Sequence, residues 1–92
     1  MICSIKASVG KTIDMSTMVP TSAGYTCLVD FEPDALELHN KKVEAGPRPG
    51  APARFTFTFI PRKAGTTTVH LVEAQPWHGG DVAKVSSYDI II

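Results

Sequence analysis

The clearest pattern along the chain is an alternation of apolar and polar residues in "RFTFTFI" (54–60). Phe55, Phe57 and Phe59 are separated by single threonines. Side chains of a β-strand point alternately to its two faces, so this period of two indicates a strand with one apolar face. Phenylalanine and threonine also favour strands. We therefore predict an antiparallel strand whose three phenylalanine side chains face the core.

The same alternation recurs in other segments, and no segment shows a sustained period of 3.6 residues. Many short strands without amphipathic helices indicate an all-β fold. The segment "TTTVHLVEA" (66–74) follows "RFTFTFI" after the turn-like sequence 61–65, and we expect the two to be adjacent antiparallel strands. The apolar faces of the other predicted strands are Ile13 and Met15; Tyr25, Cys27, Val29 and Phe31; Val69 and Leu71; and Tyr88, Ile90 and Ile92.

The segment "ALELHNKKVEA" (35–45) fits two interpretations. Its residues have helical propensity, but Leu36 and Leu38 alternate with polar residues and the neighbouring segments are strands. We predict a strand followed by an irregular run. We expect no helix longer than two turns anywhere in the chain.

Length and punctuation then indicate the architecture. A chain of 92 residues has room for one hydrophobic core, so residues 1–92 are expected to form a single domain. Seven to eight short antiparallel strands separated by glycine and proline are typical of a β-sandwich of the immunoglobulin type. That is the predicted fold.

The charge composition argues against two classes of partner. Lysine plus arginine equals aspartate plus glutamate, nine of each, whereas binders of nucleic acids or membrane surfaces usually concentrate positive charge. No apolar run approaches the roughly 20 residues needed to span a bilayer. The first residues do not resemble a signal peptide. The sequence leaves two localisations open: periplasmic or secreted if a signal was removed ahead of this sequence, and cytoplasmic otherwise.

The sequence offers little for catalysis. His39, His70 and His78 have no spacing typical of metal ligands, and no nucleophile elbow or phosphate-binding glycine loop occurs. We therefore expect no enzyme activity, no cofactor and no metal. Cys3 and Cys27 lie in strand-like segments, and we expect both to be buried free thiols. A disulfide between them is the alternative, in an oxidising compartment.

Proline, glycine and small residues concentrate in three predicted loops, 16–23, 44–52 and 75–82. They correspond to connections that leave an immunoglobulin-type sandwich at the same end, and loops held by a rigid scaffold often carry binding residues. Trp77, the single tryptophan, lies in the third loop between a proline and two glycines. We expect it to be partly exposed, as an anchor for a partner. A tryptophan folded back to cap the sandwich is the alternative.

These loop sequences resemble those of the chagasin family. The family's first loop reads Asn-Pro-Thr-Thr-Gly-Tyr, and residues 20–25 read Pro-Thr-Ser-Ala-Gly-Tyr. Its third loop reads Arg-Pro-Trp, where residues 75–77 read Gln-Pro-Trp. The closely spaced glycines of its middle loop correspond to Gly46 and Gly50. Cys27 stands where the family usually has a tryptophan.

The resemblance covers residues 10–92 and implies an immunoglobulin-like inhibitor of papain-like cysteine proteases. The family inserts its three loops as a wedge into the protease cleft, with the first loop near the catalytic cysteine. Small residues in that loop would allow entry, and Tyr25 would root the loop in the sandwich. A monomer is expected. The residues that the resemblance assigns to protease binding are Pro20, Thr21, Ser22, Ala23, Gly24, Tyr25, Gly46, Gly50, Gln75, Pro76 and Trp77.

Two other functions fit the fold without the resemblance. One is a non-inhibitory immunoglobulin-like module for adhesion or structure, in which the loops are only connections. The other is a carbohydrate-binding module that uses Trp77 as a platform for a sugar ring. Titration of papain or cathepsin L with the protein would separate these possibilities.

Overall fold

The computed structural model describes residues 2–92, apart from the side chains of Ile2 and Ser22. The described residues form seven strands, within the predicted number. Their order along the chain is β1 (Ile2–Lys6), β2 (Ile13–Val19), β3 (Thr26–Asp30), β4 (Leu36–Glu44), β5 (Ala53–Pro61), β6 (Thr66–Ala74) and β7 (Val82–Ile91).

The strands form two sheets, in the orders β1-β7-β6-β3 and β2-β5-β4. This arrangement confirms the predicted all-β immunoglobulin-like sandwich. One pairing differs from the prediction, because β1 runs parallel to β7. A parallel pair needs a long connection between its strands, and here the chain passes through five other strands before it returns as β7.

The core lies between the sheets and is built by the alternation seen in the sequence. Phe55, Phe57 and Phe59 are all buried, as predicted, and Phe59 has no exposed surface. The ring of Phe31 meets that of Phe59 edge to face, with centroids 5.1 Å apart. Val69 is among the buried residues from the opposite sheet. Burial of side chains of this size contributes about 1.5–3 kcal/mol each.

The prediction that β5 and β6 are adjacent antiparallel strands is wrong. They lie in different sheets, and the connection between them crosses the sandwich instead of closing a hairpin. Its backbone hydrogen bonds go to other parts of the chain: Arg62 N donates to Ala35 O at 2.8 Å, and Gly65 exchanges two bonds with Ile92 at 2.8 and 3.0 Å. A hairpin would have formed these bonds within the pair.

Strand β4 is longer than predicted, because it continues to Glu44 with no irregular run. The ladder with β5 shifts by one residue between Leu38 and Asn40, which is a β-bulge. Leu38 and Val43 are five residues apart, so in a regular strand their side chains would point to opposite faces. The extra residue of the bulge reverses this alternation and places Val43 opposite Phe55.

The two cysteines are both free, as predicted, but only one is buried. The pKa of the Cys27 thiol is raised from 9.0 to about 11, chiefly by burial. The negative charge of Glu73 also raises this pKa, and the positive charge of Lys41 lowers it. Cys3 is exposed, so its predicted burial is wrong. It lies on β1, the edge strand of a four-stranded sheet that faces only three strands.

Helical structure in the described residues is limited to the three-residue 3-10 turn Thr21–Ala23. The expectation that no helix exceeds two turns is confirmed for this part of the chain. No helix among residues 2–92 is long and apolar enough to cross a membrane.

Candidate functional site

Three loops connect the two sheets or neighbouring strands at one end of the sandwich. We name them by position: the first loop joins β2 to β3, the second joins β4 to β5, and the third joins β6 to β7. Their residues are 20–25, 45–52 and 75–81 respectively. The predicted second and third loops agree with these bounds to within one residue. The first loop is shorter than predicted, because residues 16–19 belong to β2.

The strand registers bring the ends of the three loops together. Val19, just before the first loop, pairs with Ala53, just after the second. Thr26, just after the first loop, pairs with Ala74, just before the third. The first loop therefore lies between the other two. The side-by-side arrangement expected from the sequence is present.

The first loop is held by hydrogen bonds within its own backbone. Ala23 N donates to Pro20 O at 3.1 Å, and Gly24 N donates to Thr21 O at 3.0 Å. Gly24 then adopts a left-handed conformation with a φ of 85°, which a glycine accepts without steric cost. Tyr25 is half-buried and packs against the core. The loop is thus a tight turn rooted by an aromatic side chain.

Contact between the first and third loops depends on the absence of a side chain at Gly24. A Cβ atom there would overlap Cη2 of Trp77 and lie 2.9 Å from its Cζ3. The indole ring therefore rests directly on the Gly24 backbone. Trp77 nevertheless keeps 53% of its surface exposed, as the sequence predicted. The ring is held on one side and is open to a partner on the other.

A second contact joins the same two loops. The Gln75 side-chain amide donates from Nε2 to the carbonyl oxygen of Ala23 at 3.1 Å. Its Oε1 accepts a hydrogen bond from Asp81 N at 3.0 Å. One side chain thus connects the start of the third loop, its end and the first loop.

The second loop stands beside the first across a cavity of about 560 Å³. Thr21 lines this cavity from the first loop, and Gly46 and Gly50 line it from the second. Inside the second loop, Ala51 N donates to Arg48 O at 3.1 Å. Gly46 is packed so closely that a Cβ would lie 2.5 Å from that of Ala51.

The sequence-based prediction overlooked Arg48, the charged residue among those that line this cavity. The predicted residues of this loop, Gly46 and Gly50, were assigned from their match to the family motif. An arginine between two prolines in "GPRPG" is a usable signal, because prolines restrict the loop and leave a guanidinium exposed at its tip.

The structure brings nearly all the predicted site residues into one surface. Pro20, Thr21, Ala23, Pro76 and Trp77 are exposed, whereas Gly24, Tyr25 and Gln75 are half-buried. For Ser22 only the backbone is described, within the 3-10 turn, and its side chain lies outside the described part. We call the surface formed by the three loops the loop face.

The described side chains of the loop face form no arrangement suited to catalysis. Among the described residues, no cluster of three or more histidine, cysteine, aspartate or glutamate side chains could hold a metal ion. The buried Cys27 thiol is a poor nucleophile, because its raised pKa keeps it protonated at neutral pH. What the loop face offers is shape: small side chains, an exposed tryptophan and turns with internal hydrogen bonds.

Comparison with known proteins agrees with this geometry. Amoebiasin-2 of Entamoeba histolytica is 29% identical over a region covering 77% of this chain and 62% of that protein, so the chain spans less than two thirds of its length. The crystal structure of EhICP2, a cysteine protease inhibitor from Entamoeba histolytica, matches 99% of this chain and 85% of its own, with a TM-score of 0.83 and 25% identity. The solution structure of Amebosin, at 16% identity, covers 95% of this chain and 87% of its own with a TM-score of 0.66, which shows the fold alone. The model of the chagasin family, peptidase inhibitor I42, matches residues 6–92. The chain belongs to the chagasin family.

Proposed function

We propose that this protein inhibits papain-like cysteine proteases by inserting the loop face into their active-site cleft. One observation carries the proposal: Trp77 is half-exposed yet rests on Gly24 of the neighbouring first loop. Such a side chain is an anchor already held in place before a partner arrives. Family membership and the likeness to EhICP2, a cysteine protease inhibitor, support the same function.

The proposed mechanism is occlusion by a preformed surface. The 3-10 turn presents Thr21 and Ala23, whose side chains are small enough to enter a narrow cleft. The turn's internal hydrogen bonds mean that little loop entropy is lost on binding, and avoided ordering cost appears as affinity. The three loops together can bury roughly 800 Å² on each partner, the size of a stable interface. No bond is made or broken.

We further propose that residues 1–92 act as one domain and as a monomer. A symmetric dimer through the loop face would bury the surface that the protease needs. The balanced charge of the chain gives no reason to expect nucleic acid or membrane as a partner.

The test is titration of papain and cathepsin L with the purified protein. We expect reversible, competitive inhibition of the papain-like enzymes and none of a serine protease such as trypsin. Trp77→Ala should weaken inhibition by ~2–4 kcal/mol, as interface tryptophans do. Val9→Ala is a matched control, since Val9 is equally exposed, at 54%, in the connection between β1 and β2. Failure to inhibit a panel of papain-like proteases would overturn the proposal and favour a non-inhibitory module.

A further inference from the structure

Gln75 uses both ends of its side-chain amide within the protein. The Nε2 donates across the loop boundary to Ala23 O at 3.1 Å, and Oε1 accepts from Asp81 N at 3.0 Å. The backbone of the same residue donates from Gln75 N to Asp81 O at 2.8 Å. The base of the third loop is therefore closed by two hydrogen bonds between Gln75 and Asp81.

Packing around Gln75 shows that this closure is tight. A Cβ at Gly80 would lie 2.5 Å from the carbonyl oxygen of Gln75 and 2.7 Å from its Cβ. Gly80 N also donates to Trp77 O at 2.9 Å. The two ends of the third loop pass so close together that only glycine fits at Gly80. The loop that carries Trp77 is thus fixed at its base.

We propose that Gln75 is a positioning residue that joins the first and third loops into one rigid unit. It acts through Ala23 and Trp77: the amide fixes the base of the third loop, and the contact between Gly24 and Trp77 fixes its tip. This inference rests on the proposed inhibitory function, and it names the residue that prepares the inhibitory surface. Preorganisation of this kind slows dissociation of a complex.

The side-chain chemistry explains why glutamine suits this position. The bridge needs one donor and one acceptor on the same group, and an amide has both. Arginine, which stands at the corresponding position of the family motif, has donors only. It could reach Ala23 O but could not accept from Asp81 N. The glutamine of this chain therefore supplies an internal bridge that the motif's arginine cannot.

Two variants separate the roles of the donor and the acceptor. Gln75→Glu keeps the acceptor for Asp81 N but loses the donor to Ala23 O while its carboxylate is ionised. Gln75→Met has a similar length and loses both. At pH 7 we expect Gln75→Glu to bind the protease about 3- to 10-fold more weakly than the unmodified protein, the worth of one exposed hydrogen bond. We expect Gln75→Met, which loses both bonds, to bind at least as weakly.

The pH dependence distinguishes a bridge from a general structural effect. A free glutamate has a pKa of about 4.3, so acidification protonates Gln75→Glu and restores an O–H donor. Relative to the unmodified protein at the same pH, we expect Gln75→Glu to recover affinity towards pH 4 and Gln75→Met to remain weak. Loss of affinity in both variants without recovery of Gln75→Glu would overturn the proposed bridge.

A second readout needs no protease. Trp77 is the single tryptophan, so its fluorescence reports on the third loop alone. We expect acrylamide to quench it more efficiently in Gln75→Met than in the unmodified protein. Equal quenching would overturn the inference. If the unmodified protein inhibits no protease, the proposed function fails, and the quenching comparison still tests the bridge.

Discussion

Replacement of Gly24 by alanine tests whether the contact with Trp77 prepares the loop face. Gly24 has a φ of 85°, and an added Cβ would lie 2.9 Å from Cζ3 of the indole and overlap Cη2. Ordinary contacts between carbon atoms are about 3.5–4.0 Å. The ring must therefore move by about 1 Å or the first loop must shift. Either change alters the position of the anchor relative to Ala23.

The expected cost has two parts. Any alanine in a left-handed conformation costs roughly 1–2 kcal/mol in stability. Displacement of the ring adds a loss in protease affinity, bounded by the ~2–4 kcal/mol that removal of an anchoring tryptophan costs. Since the ring is shifted and not removed, we expect about half of that bound, or roughly 5- to 30-fold in Kd.

Gly10→Ala serves as a matched control. Gly10 also has a positive φ, of 81°, but it lies in the connection between β1 and β2, and a Cβ there would meet no atom within 4 Å. Both variants should lose similar stability in urea denaturation. Only Gly24→Ala should change the Trp77 emission spectrum and the Kd for a papain-like protease.

One outcome would contradict the positioning of Trp77 by Gly24. If Gly24→Ala shares the stability loss of Gly10→Ala but has unchanged Trp77 emission and unchanged protease affinity, the ring is not positioned by Gly24. The proposal that Trp77 is a preformed anchor would then be wrong, even if the protein inhibits proteases.

Burial and geometry give four further predictions. Phe59→Ala should lower the free energy of unfolding by ~3–5 kcal/mol, whereas Met18→Ala, at a residue 50% exposed, should change it by less than about 0.5 kcal/mol in the same urea titration. Cys3 should react with a thiol reagent in the native protein and Cys27 only after unfolding. Because the pKa of Cys27 is raised to about 11, its stabilising contribution is complete below pH 9 and should be lost between pH 9 and 11, and Cys27→Val should abolish that loss; a pH profile identical in the two proteins would contradict this. Ala23→Arg should weaken protease binding by at least ~2 kcal/mol without changing Trp77 quenching, and unaltered affinity would exclude the tip of the first loop from the cleft.

Local alternation was sufficient to predict the strands that build the core. The period of two in β5 placed Phe55, Phe57 and Phe59 correctly because a one-residue slip would have exposed all three. The same reasoning failed for Cys3, since alternation gives the face of a residue but not whether a strand lies opposite it. Edge position in a sheet depends on contacts distant in sequence.

The connection between β5 and β6 shows a second limit of local patterns. Its sequence, "PRKAG", is equally compatible with a hairpin and with a crossing between sheets. The connection crosses between the sheets because its backbone bonds to Ala35 and Ile92. Each of these residues lies more than 25 positions away along the chain. No local signal in the connection specifies them.

Within the loop face, the sequence predicted which loops meet but not how they are joined. Glycine and proline marked the turns, and the position of Trp77 between turn-forming residues predicted its exposure. The bridge from Gln75 to Ala23 spans 52 positions and depends on the final distance between two loops. Reading Gln75 as a substitute for a motif arginine indicated its location and not its hydrogen-bonding role.

The small residues of the first loop serve two purposes that can be separated. Ala23 is exposed at the tip, where its size matters for entry into a cleft, and its carbonyl oxygen accepts the bridge from Gln75. Gly24 serves the other purpose: the absence of a side chain there makes room for the Trp77 ring. A larger residue at Ala23 should therefore block the partner while the loops remain joined. A larger residue at Gly24 should disturb the loops whether or not a partner is present. The adjacent small residues Ala23 and Gly24 therefore have different roles: the first keeps the tip narrow, and the second allows the contact that holds the loops together.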